Sequence, residues 1–114
     1  MKITREVTKV THDNGSLVYR RQQTLPLAVK IRELSASIKQ GAPEVRQHSI
    51  KIDYNGTAIV QQLFTSDQKM TQVFDPPLTL SRGSAEFKVV CTGFDSEVPV
   101  TAAISMDFSI ALFG

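Results

Sequence analysis

The stretch "VPVTAAISMDFSIAL", residues 98–112, is apolar at every even position from Val98 to Leu112 and small or polar at the odd ones. A two-residue period places alternate side chains on one face only in a β-strand, so this segment excludes a helix and demands a sheet with a buried side. Fifteen residues at ~3.3 Å each would reach about 50 Å, several times the length of an ordinary strand. Two readings follow. The strand bends or crosses between two sheets with both faces covered internally, or its small odd face, including Ala103, Ser105 and Asp107, takes a second subunit, with Phe113 as an apolar plug beside it.

The rest of the chain offers turn signals at β-sheet spacing. "VTKVTHDNGSLVYRRQ" and "SIKIDYNGTAIVQQL" each place Asn-Gly between β-prone arms. This pair suits the type I′ hairpin because both central residues then take positive φ. Hairpins are therefore expected at Asn14-Gly15 and Asn55-Gly56. In the latter, Ile50, Ile52 and Tyr54 alternate with Lys51 and Asp53, giving one core face. Both turns also match Asn-x-Ser/Thr, but the turn chemistry is sufficient explanation for them. A third hairpin is expected in "PPLTLSRGSAEFKVVCTG": Pro76 and Pro77 end the preceding strand, Arg82-Gly83 turns, and Phe87, Val89 and Cys91 resume on one face. The sum is an all-β chain, an antiparallel β-sandwich of jelly-roll type forming one domain over residues 1–114.

One segment carries two periods. In "TLPLAVKIRELSASIKQGAP", Leu27, Ile31, Leu34 and Ile38 fall at helical spacing, with Gly41 and Pro43 as a stop. Leu25, Leu27, Val29 and Ile31 also alternate as a strand, and Leu34, Ala36 and Ile38 continue on the opposite parity, as after a bulge. The strand is the better reading because the flanking chain is β and supplies partners. A short helix over residues 27–39 is the alternative.

Composition narrows the function classes. The 114 residues suffice for a core without metal or disulfide help, and a lone cysteine, Cys91, cannot form an internal bridge. Cys91 shares the parity of Phe87 and Val89, which predicts a buried, inert thiol. "KITREVTKV" after Met1 has no apolar h-region and no later run is long enough for a helical span, so neither an export signal nor a membrane is expected. The net charge of +2 conceals ten Lys/Arg against five Asp/Glu in residues 1–57, and three against six in 58–114. That asymmetry suits a head-to-tail contact between subunits or a polyanion on one side, unless the halves intermix in the folded sheets.

Candidate chemistry is sparse. His12 and His48 have no other His or Cys at metal spacing, and a zinc site usually takes four ligands. No phosphate loop or nucleophile elbow occurs, so the sequence argues for binding over catalysis and implies no cofactor. The basic residues Arg20, Arg21, Lys30 and Arg32 form the one candidate patch. With eight aromatics and no Trp, the chain is poorly equipped to stack bases or sugars. A protein neighbour is the preferred partner for that patch, and a nucleic-acid or glycan-binding module is the rival.

"FDPPLTLSRGSAEFKVVCTG" followed by the long alternating strand resembles the closing strands of small β-sandwich proteins of tailed-phage virions, of the capsid-decoration and fibre types. The resemblance covers residues 73–112 and rests on texture, with no motif that transfers a site residue. It implies a structural component without a cofactor, acting as a homo-oligomer or on a capsid protein, assembled in a host cytoplasm into a virion.

Overall fold

The computed structural model describes residues 1–40 and 44–112, which form eight strands. These are β1 (Lys2–Val10), β2 (Leu17–Leu25), β3 (Val29–Gln40), β4 (Gln47–Tyr54), β5 (Thr57–Thr65), β6 (Met70–Leu80), β7 (Gly83–Thr92) and β8 (Thr101–Leu112). They pack as two antiparallel four-stranded sheets, in the orders β1-β8-β3-β6 and β2-β7-β4-β5. The pairing is nested: β1 with β8, β2 with β7, β3 with β6 and β4 with β5. A long hairpin rolled on itself has this arrangement, and it is the jelly roll that the alternation and turn spacing predict.

Nesting decides which expected hairpins exist. The Asn55-Gly56 turn does, with φ of 52° and 81° at its two central residues and Tyr54 opposite Thr57. The other two do not. Asn14-Gly15 joins β1 to β2, which lie in different sheets, and of the pair only Gly15 has positive φ. The Gly15 N–H donates to the His12 carbonyl at 2.9 Å, and the Asn14 side chain accepts from the Ser16 N–H and hydroxyl, so the link is a capped turn between layers. Arg82-Gly83 likewise carries the chain from the first sheet to the second. Pro76 and Pro77 do not end a strand either. They lie within β6, an edge strand, where the register with β3 jumps from Glu33↔Val73 to Ile31↔Leu78. A missing N–H there removes no ladder bond.

Residues 29–40 are a strand rather than a helix. Val29 and Ile31 are buried, the register shifts between Ile31 and Glu33, and Leu34, Ala36 and Ile38 are buried after it. The parity change in the sequence is thus a bulge at Arg32, which returns the apolar set to the core face. Leu27, counted in both periods, is 52% exposed in the link before β3. Gly41 and Pro43 lie outside the described residues.

The final strand starts later than its alternation suggests, at Thr101. Val98 is 59% exposed, while the Val100 N–H donates to the Thr11 hydroxyl and its carbonyl accepts from the Thr11 N–H. From there β8 is lodged between β1 and β3, with Ala102, Ile104, Met106 and Ile110 buried against the second sheet. It does not cross between layers. Its length matches that of β3, the neighbour it pairs with along its course, and the molecule is 48 Å long. β1 and β3 from the basic half alternate with β8 and β6 from the acidic half, so the charge asymmetry along the chain intermixes in space.

Candidate functional site

Ala103, Ser105 and Asp107 share the outer face of the first sheet, each half-buried by its neighbours. Ala103 lies between Thr8 and Lys39, Ser105 between Glu6 and Ser37, and Asp107 between Thr4 and Ser35. The Thr4 hydroxyl donates to Asp107 at 2.6 Å, fixing the one carboxylate of the β8 row. The surface is therefore made mostly of short side chains across β1, β8 and β3, with exposed Glu6 among them on β1 and Glu33 and Lys39 at opposite ends of the β3 row. Phe113, the fourth residue assigned to this interface, lies outside the described residues.

The basic patch is not assembled. Arg20 faces outward from the second sheet, in one row with Lys88 and Asp53, whereas Arg21 stands on the other face of this edge strand, in register with buried Phe87, and is exposed there. Lys30 pairs with Ala111 on the outer face of the first sheet, and Arg32 is exposed at the bulge. Strand parity separates Arg20 from Arg21, and sheet membership separates both from Lys30 and Arg32; neither is visible in a count of cations.

The histidines also part. His12 is exposed in the β1–β2 link, whereas His48 is buried, with its ring centroid 4.8 Å from that of Phe94 and 6.1 Å from that of Phe64. Nδ1 donates to the Thr92 carbonyl at 3.0 Å, and the buried Nε2 has no partner among the described residues. Burial holds the imidazole below its ordinary pKa against the opposing effect of that hydrogen bond, and the Arg46 charge lowers it further. Cys91 is buried as its parity predicts, and desolvation pushes its thiol up to about 12, which keeps it protonated and unreactive. Among the described residues no group of three or more His, Cys, Asp or Glu could hold a metal ion.

A feature missed by the sequence reading lies at the end of the sandwich that carries the 55–56 turn. The sheets part there to leave a cleft of about 150 Å³, and all eight strands contribute to its walls. The lining is aliphatic and aromatic, Ile3, Tyr54, Ile59 and Phe108 included, apart from Arg5 and Gln23. The only signal in the sequence is "KITREV": Arg5 stands at the parity of Ile3 and Val7, the inward face of β1.

No family model matches the chain, and no curated protein matches it. Among solved structures it is similar to the Yersinia pseudotuberculosis-derived mitogen, with a TM-score of 0.51 and 11% identity, covering 96% of this chain and 86% of that one. That likeness is one of fold. The infectious bursal disease virus VP2 subviral particle gives a TM-score of 0.39 at 10% identity, and the Gx strain of that virus 0.41 at 10%. The chain covers 31% and 32% of those proteins' lengths and is itself covered at 95% in both. The neighbours thus include a viral capsid protein, at a weak likeness with no specific tailed-phage signal.

Proposed function

We propose that this protein is a non-enzymatic structural component of a virus particle, working through protein–protein contact between copies of itself. The observation that carries this reading is the outer face of the β1-β8-β3-β6 sheet. Exposed sheet faces ordinarily carry long charged side chains, which lose rotamer freedom when covered. Here Ala103, Ser105, Thr4, Thr8, Ser35 and Ser37 have little to lose and Glu6 is the one long charged side chain among them, so contact costs limited side-chain entropy and a second sheet can approach. The charges specify an arrangement. A two-fold axis in the plane of the face and across the strands keeps each strand over its own copy and reverses its direction, bringing Glu33 of one copy to Lys39 of the other, twice. The virion setting rests on the likeness of residues 73–112 to tailed-phage sandwich proteins. The jelly roll is compatible with that setting and does not by itself specify a function.

Sedimentation velocity across a concentration series tests the contact. A reversible dimer is expected for the wild-type chain, and Ala103→Arg, whose long cation reaches solvent in the monomer, is expected to be monomeric at unchanged melting temperature. Glu33→Lys and Lys39→Glu should each weaken the dimer and the double exchange should restore it. An Ala103→Arg protein that assembles with wild-type stoichiometry would remove the outer face from consideration.

A further inference from the structure

We propose that the free edge of β5 is a second contact between copies, in which β5 pairs antiparallel with β5 of another copy about a two-fold axis centred on Leu63. The sandwich has four edge strands, β1 and β6 in the first sheet and β2 and β5 in the second. An edge presents a row of unpaired N–H and C=O groups that another strand can fill, and natural edges are blunted by inward charges, prolines or breaks in register. Three of the four edges here are blunted. β1 turns Arg5 inward, in register with buried Met106, and β2 turns Arg21 inward, in register with buried Phe87. β6 carries Asp75, Pro76 and Pro77 at the jump in its register with β3. The fourth edge is different: "TAIVQQLFT", the whole of β5, contains no charge, no proline and no glycine. Its one irregularity is the extra residue Ile59 beside the 55–56 turn, after which residues 60–65 keep an unbroken register with residues 47–52.

The edge is held in place and left open. Among the described residues β4 is the sole strand partner of β5. The Gln62 amide donates to the Thr71 carbonyl at 3.3 Å and to the Gln72 side chain, which fixes β5 against β6. Leu63, opposite Ser49 on the outer face, is 67% exposed. The occupant follows from the comparison of edges. Pairing with β1, β2 or β6 of another copy meets the charges or prolines that blunt them, which leaves β5. An axis centred on Leu63 sets the two leucines side by side and Gln61 against Thr65, so the central pairs are uncharged. The contact rests on the reading of the protein as self-assembling. A two-fold contact through the outer face of the first sheet closes at two copies, and a particle needs a second contact elsewhere on the chain. One strand pair is a small contact, so it forms at the millimolar local concentration of copies already held together and not between free chains at micromolar concentration.

The test uses the Ala103→Arg chain, so that the outer-face contact plays no part. Leu63→Cys is oxidised in that chain at millimolar concentration, with Val73→Cys and Gln61→Cys as comparators. Val73 is 62% exposed on β6, and Gln61 is exposed on β5 but away from the axis. Cys91 is buried and stays out of the reaction. The thiol at position 63 is expected to form an inter-chain disulfide at least tenfold faster than those at 73 and 61, because residues directly opposite on a ladder lie within disulfide reach. Backbone amide exchange in the chain without added cysteine is the second readout. Alternate amides of residues 60–65 are expected to slow several-fold as the concentration is raised into the millimolar range, while those of β2 stay constant. A failure of the outer-face reading leaves both readouts intact, because neither passes through that face. Equal disulfide rates for the three thiols, or β5 exchange that is independent of concentration, overturns the proposal.

Discussion

The two ends of this sandwich are built from the same strands and differ in what joins them. At one end the links that are described throughout span residues 11–16, 66–69 and 93–100, long enough to fold side chains back over the gap between the sheets. Phe94 inserts there against His48, whose ring also meets Phe64, and the Phe94 N–H donates to the Gly15 carbonyl at 3.0 Å. Ser66 and Arg46 exchange hydrogen bonds that extend the β4–β5 ladder by a step, and Asp95 accepts from the Glu97 and Val98 N–H groups, which lowers its pKa. At the other end the links are residues 26–28, 55–56 and 81–82. Turns of that length have no side chain to spare, and the cleft stays open between Ile3, Tyr54 and Phe108. Plugging is thus a property of link length and of one well-placed aromatic, while the strands themselves are indifferent to it.

The largest effect that could break this comparison is expected at Gly93. It has φ of 98°, and a Cβ there would fall well inside contact distance of the Gln47 carbonyl oxygen and press on His48. Gly93→Ala should therefore cost roughly 2–6 kcal/mol, adding overpacking to backbone strain, as read by urea denaturation. A loss under about 1 kcal/mol would mean that the closed end is loosely packed.

A smaller effect should appear on acidification. In the folded chain His48 has a pKa below 6.5, so the unfolded chain binds its proton first as the pH falls. Stability should be full above pH 6.5, decline below it, and level off once the pH is under the folded pKa. The slope of this contribution cannot exceed about 1.4 kcal/mol per pH unit, the limit for one proton. His48→Gln measured alongside wild type should lose this part of the dependence. Identical profiles for the two would show that His48 is not sealed.

The smallest effect is expected at the open end. Gly56 has φ of 81° with nothing within 4 Å of a Cβ added there, so Gly56→Ala meets only the intrinsic cost of a left-handed residue, about 1 kcal/mol. If Gly56→Ala cost as much as Gly93→Ala in the same denaturation series, the two ends would not differ in packing.

Much of this was legible before any coordinates. The alternation of β8, the bulge that reverses parity between Ile31 and Leu34, the buried Cys91 and the I′ turn at Asn55-Gly56 all follow from local geometry: a two-residue period, and a turn that demands positive φ. The outer face of β8 was legible for the same reason, since the residues opposite a buried row must face away. The basic patch was not, because Arg20 and Lys30 sit near each other in sequence but on opposite outer faces of the sandwich. The cleft was nearly invisible, its walls being drawn from all eight strands.

What the chain determined by itself, then, is where strands run, which side of each is apolar, and where one tight turn closes. Those properties are set within a few residues by sterics and side-chain alternation. What only the tertiary structure decided is which strands pair. The links at Asn14-Gly15 and Arg82-Gly83 read as hairpins, yet each passes between layers, because β1 gains its partner in β8 and β7 gains partners in β2 and β4. A turn's local preference is worth about a kilocalorie, whereas moving a strand to the other sheet changes the burial of a whole apolar row, so burial sets the topology.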